Sequence, residues 1–262
     1  MSSYERIGSK RVVLNGGAAM DAFTLTREEL AHLLGALGGR YDEKPSEILR
    51  KAWGKTCTTG RKAPGEPNSP LPPIVLKLMR SSDRRGFSLH EIAELGSLLE
   101  GSTLSVTSMQ NWVKRDFKPY FQCPMAGKKY SLDQTAMLLM IDDLKSSLDF
   151  ETIRRLFALL FVSCEDAAAA RPEGLSPLSM LDCYAALYQK LYHEWESVNM
   201  ERTEQAVRAE ADKAAMKMLH IDEEQKTALG NLLLVAVISI QAGRLQAMAR
   251  RYSQEILFLG KA

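Results

Sequence analysis

The sequence predicts a mainly α-helical protein with one small β element. Apolar residues recur at three- and four-residue intervals through most of the 262 residues, as they do on amphipathic helices. Several of these stretches open with Ser or Thr followed three residues later by Glu or Gln, which is a helix-capping pattern. Residues 120–131 instead combine two short β-prone runs with a turn containing Gly.

Residues 1–53 are predicted to form a helical N-terminal extension. Thr26 and Glu29 make a capping box for a helix that continues to Leu37. A second short helix is expected from Pro45 to Trp53.

Residues 54–73 are rich in Gly, Pro, Ser and Lys, which predicts a flexible linker to the next domain. Four basic residues in or beside it are candidate DNA contacts: Lys51, Lys55, Arg61 and Lys62. A solvated linker is the alternative interpretation.

Residues 74–162 are predicted to contain two short helices joined by a tight turn. Ser88 and Glu91 form another capping box, so a helix should begin there. Gly101–Thr103 ends this helix before a second one over about residues 106–118.

One side of that second helix is apolar and the other is polar and cationic. The apolar side comprises Val106, Met109, Trp112 and Val113. The outward side comprises Thr107, Ser108, Gln110, Asn111, Lys114 and Arg115. Gln and Asn can pair with adenine in the major groove, and Lys and Arg reach guanine or phosphate, so these residue types suit a DNA recognition helix. A solvated helix face is the alternative.

A small wing is predicted after this helix. Pro119 is expected to stop the helix, and Tyr120–Cys123 and Lys128–Ser131 are expected to pair as strands around a turn. Lys128 and Lys129 beside the turn are candidate phosphate contacts, which supply affinity without base specificity.

Two further helices are predicted to pack behind the outward helix. Ser131 and Gln134 repeat the capping box, and Asp149 is placed to cap the helix that follows. This order of helices, turn and hairpin predicts a winged helix-turn-helix.

The same stretch resembles the DNA-binding domain of MerR-type regulators and the related phage excisionases. The motifs that carry the resemblance are Ser108–Arg115 followed by Pro119, Gly127–Ser131 with its closing Tyr, and Leu148–Ile153. With Leu71–Pro73 upstream, the stretch is still more similar to a bacterial family described as a domain of unknown function with a MerR-like helix-turn-helix. The resemblance implies a winged-helix fold and DNA binding, without a target or a ligand.

Two positions depart from the MerR-type pattern. Recognition helices of that type usually carry Arg where this chain has Gln110 and Gly where it has Asp116. The resemblance therefore implies no base specificity.

Residues 175–262 are predicted to form a helical region for dimerisation or effector binding. Ser176 and Pro177 fit an N-cap and a first helical residue. The helix that follows carries a wide apolar stripe of Leu181, Tyr184, Leu187, Tyr188, Leu191, Tyr192 and Trp195. Such a stripe forms a packed core more often than a ligand cage; if an effector binds, Tyr184, Tyr188 and Trp195 are its candidate contacts.

The last segment, from Asp222 to Leu259, is predicted to form one long helix spanning roughly 50 Å at about 1.5 Å per residue. Its apolar residues between Leu229 and Met248 exceed what one helix buries alone. It must pack on the protein's own bundle, on another subunit, or on both. A homodimer is expected, in which two recognition helices meet an inverted repeat.

The net charge of +2 conceals an asymmetry between the two halves of the chain. Residues 1–161 carry 23 Lys and Arg against 18 Asp and Glu, or +5, and residues 162–262 carry 11 against 14, or −3. This split suits a nucleic-acid half joined to a regulatory half. No N-terminal segment resembles a signal peptide, and the apolar stretch at Leu232–Ile240 is far shorter than a membrane span, so a cytoplasmic protein without a membrane partner is expected.

No residue pattern predicts catalysis, a metal site or a cofactor. The four Cys residues, Cys57, Cys123, Cys164 and Cys183, are widely spaced, so free thiols are expected rather than zinc ligands. Asp142 and Asp143 are expected on a solvated helix edge.

The leading functional hypothesis is a dimeric bacterial transcription regulator. It would bind double-stranded DNA through residues 106–118 and the Lys-bearing wing, under the control of an unidentified small-molecule or protein effector. The alternative is a protein-interaction adaptor that keeps the winged helix as a scaffold and binds its partner through the helical C-terminal region. An enzyme is the third hypothesis.

Overall fold

The computed structural model describes residues 23–59, 71–80, 85–122, 128–161, 163, 175–192, 200–216 and 223–259. These residues form eleven α-helices, one π-helical turn and two short strands. In chain order they are α1 (Arg27–Leu37), α2 (Pro45–Thr59), α3 (Pro73–Met79), β1 (Gly86–Phe87), α4 (Leu89–Ser97), α5 (Val106–Asn111), the π turn (Trp112–Asp116), α6 (Lys118–Phe121), β2 (Tyr130–Ser131), α7 (Leu132–Leu144), α8 (Phe150–Leu160), α9 (Pro177–Tyr192), α10 (Met200–Met216) and α11 (Glu223–Leu259). The predicted mainly helical fold is confirmed.

Side-chain caps begin several of these helices where the sequence predicts them. The three capping boxes are formed by Thr26 with Glu29, Ser88 with Glu91, and Ser131 with Gln134. Asp149 accepts the backbone N–H of Thr152 at 2.7 Å, and Ser176 accepts that of Ser179 at 3.1 Å. Each cap pairs an N–H that the first helical turn leaves without a partner.

The sheet differs from the predicted wing. β1 pairs antiparallel with β2, which places Phe87 opposite Tyr130. The predicted pairing of Tyr120–Cys123 with Lys128–Ser131 is wrong at Tyr120 and Phe121, which are helical, and the described partner of β2 comes instead from the segment before α4. Cys123 lies outside the described residues. The predicted turn at residues 124–127 lies outside the described residues.

Packing explains why the predicted first wing strand is helical. Pro119 lies in the first turn of α6, where its fixed φ suits the helix and its missing N–H is not needed. Tyr120 packs edge-on against Phe157, with ring centroids 5.8 Å apart, and Phe121 packs against Tyr130 at 6.0 Å. Both rings are buried. A strand would send one of these neighbouring rings to the opposite face, away from the core.

The helix predicted over residues 106–118 ends before Pro119. α5 continues into the π turn, in which the N–H of Phe117 donates to the carbonyl of Trp112 at 2.8 Å. Phe117 then leaves the helical conformation, with φ −127° and ψ 26°. The proline begins α6 instead of terminating the preceding helix.

α7 is the central element of the core. Every residue from Gln134 to Leu144 is buried, and α9, α11 and both strands pack around the helix. The N-terminal helices belong to the same core: α1 packs on α9, and the N–H of Leu25 donates to the carbonyl of Leu98 at 2.9 Å. The predicted domain boundaries stay a prediction, but contacts cross them.

α2 extends further than the sequence predicts. It runs to Thr59, so residues 54–59 of the predicted linker are helical. Residues 60–70 of that linker lie outside the described residues.

α11 is buried along one side of its first half, and residues 241–250 beyond it are half-buried or exposed. Its buried residues include Leu229, Leu232, Leu233, Ala236, Val237 and Ile240, which pack within the bundle. Among the described side chains of α11, the large apolar residues that are exposed are Ile238, Leu245 and Met248.

The apolar part of α11 is longer than the predicted Leu232–Ile240. Within Glu223–Arg250 an 18-residue window reaches a mean hydropathy of 1.6, so by length and composition alone this helix is able to cross a membrane. Core packing accounts for part of this composition, because 39% of the apolar window is buried inside the protein.

A close approach between α4 and the residue that leads to α5 gives a first testable prediction. A Cβ at Gly96 would lie 2.9 Å from the Cβ of Leu104 and 3.0 Å from its Cδ2. Gly96→Ala should therefore lower the free energy of unfolding by about 1–3 kcal/mol, as overpacking does. This outweighs the gain of about 1 kcal/mol that Ala brings to a helix. Urea unfolding followed by circular dichroism measures the change.

Gly54→Ala is the matched control. Gly54 is helical, and a Cβ there would meet nothing within 4 Å. We expect this change to raise the free energy of unfolding by about 0.5–1 kcal/mol. Stabilisation by both substitutions would show that the segments around Gly96 and Leu104 are not tightly packed.

Candidate nucleic-acid interface

α4 is followed by a turn, and then by α5 and the π turn. Gly101 in the turn has φ +79°, a left-handed conformation that glycine adopts without strain. A Cβ there would lie 3.7 Å from the Cα of Arg244, so the turn rests against α11. Ser105 caps α5 by accepting the N–H of Ser108 at 3.2 Å. These contacts fix where the second helix begins.

The inward side of α5 and the π turn is firmly anchored. Met109 is fully buried, and Trp112 and Val113 are 3% and 8% exposed. The Trp112 ring meets the Phe150 ring edge-on, with centroids 6.1 Å apart. The ammonium of Lys145 lies 5.0 Å from the centroid of the Trp112 indole, which is cation–π distance.

The outward side is open to solvent. The predicted contact residues Thr107, Gln110, Asn111, Lys114 and Arg115 are all exposed, and Ser108 is half-buried. One continuous surface therefore presents a hydroxyl, two amides and two cations.

The two cations on this surface differ in their surroundings. Arg115 pairs with its neighbour Asp116, with Nε 2.9 Å from Oδ1, and this hydrogen bond raises the pKa of Arg115. Lys114 has no ion-pair partner within the described part of the chain. A phosphate would meet Lys114 directly and would compete with Asp116 for Arg115.

The predicted wing lysines are also exposed. Lys128 adopts a left-handed φ of 57°, and Lys129 leads directly into β2. Tyr130 in that strand contacts Phe121 of α6, which follows the π turn. This contact connects the segment that carries Lys128 and Lys129 to the end of the outward helix.

Asp142 and Asp143 are buried, contrary to the predicted solvated edge. They are 7% and 6% exposed at the C-terminal end of α7. Asp143 accepts hydrogen bonds from Nε and Nη2 of Arg27, at 2.9 and 2.7 Å, and from the hydroxyl of Tyr184 at 2.9 Å. Burial acts to lower the pKa of Arg27, but the adjoining Asp143 carboxylate outweighs it, so the pKa is raised.

The second carboxylate holds the turn between α4 and α5. Asp142 accepts the hydroxyl of Ser102 at 2.7 Å and the backbone N–H of Thr103 at 3.2 Å. Lys145, one turn further on, pairs with Asp142 at 2.6 Å and also lies against Trp112. One buried network therefore links the turn, the inward face of the outward helix and the helical body.

This network was missed by sequence reasoning, although α7 carried a signal for it. Two acidic residues in the last turn of a helix are unfavourable beside the negative end of its dipole. Acidic side chains that follow an otherwise apolar helix therefore require external donors. The donor Arg27 is 116 positions away in the chain, so sequence alone did not identify it.

Tyr184 and Tyr188, two of the predicted effector contacts, are core residues. They are 1% and 8% exposed. Tyr184 donates to Asp143, and Tyr188 donates to the side-chain carbonyl of Gln241 at 3.1 Å. Burial, and then the charge of Asp143, raise the pKa of Tyr184. These rings offer no open wall to a ligand, and Trp195 lies outside the described residues.

The two tyrosines provide a second prediction. Tyr184→Phe should lower the free energy of unfolding by about 1.5–3 kcal/mol, because it removes a buried hydrogen bond to a charged group. Tyr188→Phe should cost only about 0.5–1.5 kcal/mol, because its acceptor is neutral. Parallel chemical denaturation of the two variants compares them. A larger loss for Tyr188→Phe would contradict the central role of Asp143.

Within the described ranges, no three His, Cys, Asp or Glu side chains come together in a group that could hold a metal ion.

Comparison with known proteins finds a family model that is similar to this region and has no assigned role. Residues 88–175 match the family model described as "Domain of unknown function (DUF1836)". Over 241 residues the chain is 29% identical to "Uncharacterized protein YkrK" of Bacillus subtilis (strain 168), an alignment covering 91% of this chain and 100% of the relative. No solved structure matches the chain. The predicted similarity to a domain family of unknown function is confirmed.

The family match coincides with the candidate interface. It begins at the Ser88 cap and includes α4 through α8, and hence the outward helix and the helices that support it.

Proposed function

We propose that the protein is a DNA-binding transcription regulator of the cytoplasm. The outward surface of α5 and the π turn would enter the major groove of double-stranded DNA, and Lys128 and Lys129 would contact phosphates beside it. A MerR-like helix-turn-helix is part of this proposal, with the β1–β2 sheet in the place of the predicted hairpin wing.

The observation that carries the proposal is that one helical segment has an exposed polar side and a buried apolar side. Its outward residues Gln110, Asn111 and Lys114 are exposed, while Met109 and Trp112 behind them are buried. Exposure alone does not distinguish a DNA-binding helix from a solvated helix, because both have an exposed face. Here the face combines base-reading amides with cations on a rigidly anchored helix, which is the arrangement that groove recognition requires.

We propose further that the regulator is a homodimer formed through α11. The exposed Ile238, Leu245 and Met248 are spaced 7 and 3 residues apart, so they share one side of the helix. Two copies paired on this side would present two outward helices to an inverted repeat. Analytical ultracentrifugation of the wild type and of Leu245→Glu tests the dimer.

Selection of bound sequences from a random duplex library, together with binding to one random duplex at several salt concentrations, tests DNA binding. We expect an enriched palindrome and an affinity that falls steeply with salt, because bound phosphates release counterions. No enrichment, with no salt-dependent retention on duplex DNA or heparin, would reject DNA binding.

A protein-interaction adaptor is the second candidate function. The observation that favours it is the same exposed apolar side of α11, which suits a partner helix as well as a second copy. A monomer that retains a protein partner at high salt and enriches no duplex sequence would support the adaptor.

A further inference from the structure

Arg115 and Asp116 pair side by side at the end of the π turn. Nε of Arg115 lies 2.9 Å from Oδ1 of Asp116, and Nη2 lies 3.4 Å from Oδ2. The carboxylate therefore occupies one two-pronged edge of the guanidinium. A guanidinium has further N–H donors, and Nη1 and Nη2 together form a second edge at its far end. Among the described residues, no acceptor contacts Nη1.

The two partners of this pair differ in how firmly they are held. The side chain of Asp116 is 12% exposed, whereas that of Arg115 is 77% exposed. The carbonyl of Asp116 accepts a hydrogen bond from Nη1 of Arg154 at 3.3 Å. The next residue, Phe117, is fully buried, and its ring centroid lies 5.7 Å from that of Phe150. The carboxylate is thus a fixed point to which the exposed guanidinium is bound.

Pairing of this kind orients the arginine before any ligand binds. An exposed arginine samples many rotamers, and ordering such a side chain on binding lowers the affinity. A carboxylate that holds one edge of the guanidinium also fixes the direction of the other edge. That free edge presents two parallel N–H donors, which match the O6 and N7 acceptors of guanine in the major groove.

The charge of Asp116 favours a base over a phosphate as the ligand of that edge. Phosphate oxygens carry negative charge, which a nearby carboxylate repels, whereas O6 and N7 of guanine are neutral acceptors. Because phosphates flank the groove, Arg115 neutralises backbone charge in either role. Salt dependence therefore does not separate the two roles, but base preference does.

We propose that Asp116 is a positioning residue that holds Arg115 to read one guanine in the major groove. This inference rests on the proposed DNA binding and specifies one base pair of the target. Arg115 follows Asn111 by four residues, which is about 6 Å along a helix. Successive base pairs are about 3.4 Å apart. The guanine should therefore lie within about two base pairs of the base that Asn111 contacts.

Selection from a random duplex library by the full-length protein first gives the preferred site, and fluorescence anisotropy then compares three labelled duplexes. They are the selected site, the same site with its guanine replaced by adenine, and a random duplex. For the wild type, we expect the replacement to weaken binding about 10-fold or more. Arg115→Lys keeps the charge but loses the two-pronged edge, so it should reduce this preference to about 2-fold or less.

Two substitutions of Asp116 test the positioning role. Asp116→Ala should lower the guanine preference about 5-fold. It should bind the random duplex as tightly as the wild type or up to about 3-fold more tightly, because a negative charge leaves the surface. Asp116→Asn keeps one oxygen acceptor, so it should retain more of the preference than Asp116→Ala. A residue that only supported the fold would instead lower binding to every duplex.

Glu210→Gln is the matched control for charge. It removes a carboxylate from the helical body, where Glu210 pairs with Lys190 and Lys213. Its effect on net charge equals that of Asp116→Asn, but it should leave the guanine preference unchanged. An equal loss of preference in this variant would show that net charge, and not the position of Asp116, is responsible.

A guanine preference that is unchanged or stronger in both Asp116 variants would overturn the inference. So would a selected site that contains no guanine, or a loss of binding to all three duplexes by Asp116→Asn. In each of these cases the wild type still binds DNA, so the proposed function stands. If the wild type enriches no sequence and binds no duplex, the proposed function itself fails, and this inference fails with it.

Discussion

Asp143→Ala should lower the free energy of unfolding by about 3–5 kcal/mol, the largest effect we expect from a single substitution in this protein. The change leaves the guanidinium of Arg27, 11% exposed, without its carboxylate, and leaves the Tyr184 hydroxyl without its acceptor. A buried charge without a counter-charge destabilises the folded state by much more than the ion pair stabilised it. Urea unfolding monitored by circular dichroism gives the value.

Two controls separate burial of charge from loss of an ion pair. Glu151→Ala breaks the exposed pairs with Arg154 and Arg155 and should leave the free energy of unfolding nearly unchanged. The double variant Arg27→Met with Asp143→Leu removes both charges and should recover most of the loss. A single Asp143→Ala variant as stable as Glu151→Ala would show that this site is hydrated in solution.

Under the proposed function, Lys114→Ala combined with Arg115→Ala should weaken binding to duplex DNA about 30-fold at about 0.15 M salt. It should also reduce the slope of log affinity against log salt by about 1.8, which corresponds to two lost phosphate contacts. Both side chains are exposed, so the fold should be retained. Fluorescence anisotropy with a labelled duplex at four salt concentrations measures affinity and slope together.

Asn111→Ala distinguishes base reading from charge on the same surface. It should leave the salt slope unchanged and relax base preference at one position by about 1–3 kcal/mol. The matched control is Lys190→Ala with Lys213→Ala, which removes two exposed cations that pair with Glu210 on the helical body. If this control weakens binding as much as the Lys114 and Arg115 variant, the effect is net charge alone and the outward helix is not the binding face.

The features that the sequence predicted are those determined by near neighbours. The caps at Thr26, Ser88 and Ser131 involve residues three positions apart, so their chemistry is visible in a short window. The inward and outward sides of α5 follow from helical spacing, and the burial of Met109 and Trp112 confirms that assignment.

The features that it missed depend on residues distant in the chain. The strand paired with Tyr130–Ser131 comes from Gly86–Phe87, and it displaces the local hairpin. The burial of Asp142 depends on Ser102 and Thr103, about forty positions earlier. A cavity of about 420 Å³ forms where α7, α8 and α11 pack together. None of these contacts between distant segments produces a periodic pattern in the sequence.

The contact between Gly101 and α11 has a mechanical consequence. The helix touches the turn at Arg244 and then continues without interruption to Leu259, fifteen residues or about 22 Å further. With this contact as a fulcrum, a tilt of about 5° carries the far end of the rod through an arc of about 2 Å. A partner bound at the C-terminal end of α11 would therefore displace the turn at Gly101, and with it the start of α5.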